Sequence, residues 1–165
     1  MQMQMKGKIT IDAPVDKVWA VLGRDFSRID QWASIITKSS GAEIPESELN
    51  GRVCSAKGFG DTLEALVNYD EAAMCFTYKA LKGLPWFMTS AQNNWSVREL
   101  GNGQCEVASR AEIYMRLFPG IILAPLFKLM MGRKSREMFE ELKFFVENDR
   151  PHPRKLRQME QAVTG

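Results

Sequence analysis

The chain has 165 residues, enough for one domain with a sizeable core. Its 45% hydrophobic and 25% charged residues are ordinary for a soluble globular domain, and a net charge of +2 with no basic stripe between aromatics argues against nucleic acid. Three cysteines (Cys54, Cys75 and Cys105) lack metal-ligand spacing and form an odd count, so reduced thiols in a cytoplasmic protein are expected, with no metal and no cofactor.

The first residues, Met1 to Lys6, contain no apolar run of the signal-peptide kind. Residues 8–12 read as a one-sided strand, with Ile9 and Ile11 alternating against Lys8, Thr10 and Asp12. Pro14 then presets a helix start, Asp16 sits on the favourable side of its dipole, and Val15, Val18, Trp19 and Leu22 make one apolar stripe. A second short helix over 27–32 has Ser27 as its N-cap. Strands are predicted over 34–44, 51–59, 62–69, 74–81, 87–100 and 104–117, separated by turn signals that include the hairpin sequence Gly101-Asn102-Gly103. Short connections of this kind make an antiparallel sheet.

A long helix follows over 121–148, with Met138, Phe139, Leu142, Phe145 and Val146 at helical spacing and Glu140 and Glu141 read as solvated surface. No run reaches the roughly 18 apolar residues of a membrane span. The nearest, over 117–131, is broken by Pro119, Gly120, Pro125 and Lys128. Pro151-His152-Pro153 ends the regular structure, leaving residues 1–150 as the domain and 151–165 as a flexible tail that has Leu156, Met159 and Val163 on one face if it turns helical. The order is α+β: strand, two short helices, six strands, long helix. A strongly twisted sheet cannot lie flat on a straight helix, so a hollow can form between them.

The order and local wording resemble the helix-grip fold of the START-like (SRPBCC) superfamily, in particular its bacterial polyketide cyclase/dehydrase branch, similar in fold to Bet v 1-type proteins. The matching pieces are Ala13-Pro14 with Val18-Trp19, Asp25-Phe26 leading to Trp32, Glu64 ahead of Tyr69-Asp70, Gly83-Leu84-Pro85 before Asn94-Trp95-Ser96-Val97, and Leu142-Lys143. The resemblance implies a curved antiparallel sheet of about seven strands wrapped around the long C-terminal helix, with an apolar cavity beneath it. It does not settle the chemistry, since carriers, receptors and cyclases share the fold.

Alternation puts Val107, Ser109, Ala111 and Ile113 on the face toward the long helix, where Ser109 and Ala111 leave room; close packing is the alternative. In the preceding strand Thr89, Ala91, Asn93, Trp95 and Val97 share a face, and the amide of Asn93 must find a partner there. Alternation alone sends Glu64 to solvent, with Leu63, Ala65, Val67 and Tyr69 buried; the resemblance turns Thr62, Glu64 and Leu66 to the cavity, and a bulge would reconcile the two. Trp32 and Phe59 are expected at the cavity mouth, residues 59–61 and 82–86 resemble the gate loops, and Leu126 and Met130 are expected to line the helix side.

The lone histidine, His152, has no Ser or Cys partner in view, and no phosphate loop is present. The leading reading is a binder of an apolar or amphipathic small molecule: a lipid, an isoprenoid or a polyketide-like aromatic. The alternative is a cyclase/aromatase or dehydratase, with Glu64 moving protons and Asn93 polarising a carbonyl. A third reading has residues 117–131 and the basic tail (Arg150, Arg154, Lys155, Arg157) touching an anionic membrane surface. A homodimer is compatible with the composition.

Overall fold

The computed structural model describes residues 1–45 and 47–163. Its strands are β1 (Gln2–Ile11), β2 (Ile36–Ala42), β3 (Gly51–Ala56), β4 (Gly60–Asp70), β5 (Cys75–Lys82), β6 (Met88–Gly101) and β7 (Gln104–Met115). They form one seven-stranded sheet in the order β1-β7-β6-β5-β4-β3-β2, each pair antiparallel. Between β1 and β2 lie α1 (Val15–Trp19), a π-helical turn (Ala20–Arg24) and a 3-10 helix (Phe26–Gln31). The long helix α2 (Leu117–Asn148) crosses the sheet, and α3 (Pro153–Val163) follows it. This is the helix-grip fold.

Most boundaries follow from local chemistry. The β6–β7 hairpin turns on Asn102 and Gly103, both at positive φ (54° and 73°), as a type I′ turn requires. β1 reaches back to Gln2 because its backbone finds a complete ladder on β7, from Gln2 opposite Tyr114 to Ile11 opposite Cys105. The 3-10 helix starts at Phe26 rather than at a Ser27 cap; the carbonyl of Ser27 instead accepts the Ser39 hydroxyl at 2.7 Å. The register of β4 slips between Leu66 and Asn68, so the bulged Val67 is exposed while Leu66 and Tyr69 both pack on the core.

The core lies under the C-terminal half of α2. Phe76, Trp95 and Val97 of the sheet and Trp19 and Phe26 of the short helices form one cluster with Phe139, Leu142 and Val146 of α2. Phe26 and Phe76 are edge-on at 5.3 Å, and Trp95 meets Phe139 at 5.2 Å. Gly7 of β1 lets the helix come this close, since a Cβ there would run into the Phe139 ring. The helix is therefore pressed onto the sheet here, and again through Phe127, which packs with Met3, Ile113 and Met115 nearer its start.

Two surface expectations are corrected. Glu141 is 1% exposed, not solvated: it accepts the Ser34 amide (2.8 Å), the Ser34 hydroxyl (2.6 Å) and the Arg154 guanidinium (2.9 Å). The segment after Pro153 is a docked helix rather than a frayed tail, except that residues 164 and 165 lie outside the described residues. Its inward face is polar, opposite to the Leu156–Met159–Val163 face read from the sequence. Lys155 is buried and donates to the carbonyl of Ile36 (2.7 Å) and to Gln158 (2.6 Å), while Leu156, Met159 and Val163 face outward. Hydrogen bonding to an edge strand decides the docking here, and apolar periodicity does not.

Candidate ligand cavity

Between these two contacts, beneath the stretch of α2 from Phe127 to Met138, lies a cavity of about 250 Å³. That is just below the range of about 300–1,000 Å³ usual for small-molecule sites. The cavity exists because the sheet is lined there by small residues: Ala80 of β5, Ala91 of β6, and Ser109 and Ala111 of β7. Deeper in, the same faces carry Phe76, Trp95 and Val107, and the space is filled.

A polar cluster faces this apolar hollow, assembled by strand register. Arg52 of β3 lies opposite Glu64 of β4, and Tyr78 of β5 lies opposite Asn93 of β6. The Arg52 guanidinium, in a residue only 4% exposed, bonds the Glu64 carboxylate at 2.7 Å and the Phe26 carbonyl at 2.7 Å. It also stacks over the Phe26 ring at 3.9 Å and near the Tyr78 ring at 5.0 Å. Burial pulls its pKa down, but the surrounding groups, Glu64 foremost with Tyr78 and Cys54, together more than reverse this and the guanidinium stays charged. Burial, aided by the Glu64 charge, pushes the Tyr78 phenol up to about 12, so it is a proton-bearing donor. The neighbouring Asn93 amide pulls the phenol weakly the other way, and its carbonyl oxygen accepts the Ser109 hydroxyl at 2.9 Å. The cluster thus presents one fixed cation, one carboxylate, one phenol and one amide to a small apolar space.

Of the residues singled out in the sequence, Glu64, Asn93, Ala91, Ser109 and Ala111 line the cavity. Trp32 does not: it follows the 3-10 helix and is buried in the main core. Leu66 and Trp95 belong to the main core, and Phe59 packs with Met3, Met115 and Phe127 in a second cluster. Leu126 and Met130 point to solvent; Phe127 and Met131, one position on, line the cavity in their place. That end of α2 is apolar all round, so its periodicity carried no phase. Arg52 and Tyr78 were missed. An arginine within a strand reads as outward, whereas Arg52 shares its inward face with Cys54, two residues on, and Val53 between them is exposed.

A sheet gripping one long helix over an apolar hollow defines the class as START-like. The chain belongs to the family described as "Polyketide cyclase / dehydrase and lipid transport", which matches residues 2–147. Among solved structures, the chain is similar to the Zhui aromatase/cyclase from Streptomyces sp. R1128, with 14% identity and a TM-score of 0.76 over 89% of this chain and 94% of that one. It is also similar to norcoclaurine synthase from Thalictrum flavum (15% identity, TM-score 0.70, 90% and 88% of the chains) and to a START superfamily protein from Mycobacterium smegmatis (16%, 0.69, 87% and 97%). No curated protein sequence matches. At such identities these likenesses speak for the fold. Among the described residues no helix is long and apolar enough to cross a membrane.

Proposed function

We propose that the protein binds one compact, largely apolar molecule carrying a carbonyl or hydroxyl group in the cavity under α2. The observation that carries this reading is the hollow itself, with small residues and Phe127 and Met131 for walls and the Arg52–Glu64 and Tyr78–Asn93 pairs at one side. Apolar walls supply affinity, and a few fixed polar groups set orientation. A two-chain phospholipid is too large for about 250 Å³ without a change of shape.

The test is uptake of an apolar fluorescent dye, alongside native mass spectrometry of protein from its own host. Ala111→Phe places a ring in the hollow. It should abolish uptake while leaving the unfolding transition cooperative. Undiminished uptake in that variant, or no ligand and no dye in the parent protein, would refute the reading.

A second reading is favoured by the protonated Tyr78. A cyclase or dehydratase acting on a polyketide-like substrate in the same cavity would use Tyr78 and Asn93 to polarise a carbonyl and Glu64 to move a proton. Turnover of a trial polyketide-like ketone should fall at least about a hundredfold in Tyr78→Phe and in Asn93→Ala, within the usual range for one acid/base or donor group. Unchanged turnover in both would end this reading and leave binding untouched.

A further inference from the structure

We propose that the outward face of the first turns of α2, together with Trp86, seats this protein on an anionic lipid bilayer. Trp86 is 70% exposed, Ile122 72% and Leu126 68%, and Leu117, Ile121 and Leu129 are exposed beside them. These are the residues that the fold leaves over: Phe127 and Met131 on the opposite side of the helix already cover the cavity. Trp86 joins the same surface. Its ring is edge-on to Phe87 at 6.0 Å, Phe87 is edge-on to Phe127 at 5.7 Å, and the Arg116 amide bonds the Phe87 carbonyl at 2.9 Å. An apolar face of this extent on a polar protein marks an interaction site.

Charge selects the partner. From Arg116 to Arg136 the chain has no Asp or Glu but carries Arg116, Lys128, Arg133, Lys134 and Arg136. Arg133 and Lys134 share Glu137, whereas Arg116, Lys128 and Arg136 form no ion pair among the described residues, nor does Lys82 ahead of Trp86. A second copy docking through this face would bring cations against cations. An anionic surface accepts all of them, at about fivefold in partitioning per cation. No described helix is long and apolar enough to cross a membrane, so the contact proposed is one in which the helix lies in the interface. Two cations of the basic tail are withdrawn from this, since Arg154 and Lys155 are bonded within the fold. The inference stands apart from the cavity reading, but the geometry links them, since Leu84 and Met88 on either side of Trp86 line the cavity.

The experiment is sedimentation of the full chain with vesicles of phosphatidylcholine, with and without phosphatidylglycerol, at low and high salt. Trp86 is the one exposed tryptophan, so its emission reports entry. The protein should pellet with the anionic vesicles only, with a blue-shifted emission, and salt should release it. Ile122→Glu with Leu126→Glu should weaken partitioning at least about tenfold with no fall in melting temperature, and Trp86→Ser should weaken it and erase the shift. Equal binding to neutral vesicles, no binding at low salt, or insensitivity to both variants would overturn the proposal. So would a stable dimer that the Ile122→Glu/Leu126→Glu protein no longer forms.

Discussion

Replacing Arg52 by methionine tests how the polar side of the cavity is held. The guanidinium is almost fully buried and its partner Glu64 has a side chain 15% exposed, so the carboxylate cannot recover its hydration when the cation goes. Removing one member of a buried pair costs about 3–5 kcal/mol. The Phe26 carbonyl also loses its donor, and two ring faces lose their cation. For a chain of this length each kcal/mol moves the midpoint by about 2–4 °C, so Arg52→Met should melt roughly 6–20 °C lower. Arg52→Met with Glu64→Leu removes both charges and should return to within about 2 kcal/mol of the parent. Urea and thermal unfolding followed by circular dichroism supply both numbers. A single variant within about 1 kcal/mol of the parent, or a double variant that costs the sum of its parts, would show that the pair does not stabilise the cavity wall in this way.

Phe139→Ala should cost about 3–5 kcal/mol in urea unfolding, since the ring fills the contact between Gly7 and Trp95. Gly7→Ala should cost about 1–3 kcal/mol by pushing that ring away, and combining the two should cost less than their sum. The unfolded Tyr78 phenol ionises near its ordinary 10.0 and the folded one near 12, so the folded state holds the proton longer and stability falls as pH rises between those values. Tyr78→Phe should flatten that fall by up to about 3 kcal/mol, measured by unfolding across the alkaline range; Tyr69, also raised to about 12, continues to titrate. Arg154→Met should lower stability by about 1.5–3 kcal/mol, because buried Glu141 loses a charged hydrogen bond while the Ser34 bonds remain.

The fold was legible because its two periodicities are clean where one face is dry. Alternation in β6 and β7 placed Ala91, Asn93, Ser109 and Ala111 on the cavity side. It failed where something other than burial decides. In β4 the bulge at Val67 lets two half-strands face the same way, which single-register counting cannot express. At the start of α2 both sides are apolar, one covering the cavity and one exposed, so Leu126 was indistinguishable from Phe127. Arg52 and Lys155 were hidden by their charge: each is buried because specific oxygens wait for it, at Glu64 and Phe26 for one and at Ile36 and Gln158 for the other. Apart from Gln158, one helical turn from Lys155, these partners lie at least 12 residues away along the chain, where a linear reading has no access to them.

The docking of α3 bears on where this protein ends as a cooperative unit. The family match stops at 147, yet a carboxylate inside the matched region is neutralised by Arg154 beyond it. A chain cut at the family limit would keep every strand and lose the counter-charge of Glu141. The matched region and the set of residues that satisfies its buried carboxylate therefore differ by one short helix, and a stability measured on this chain without that helix would describe a different molecule.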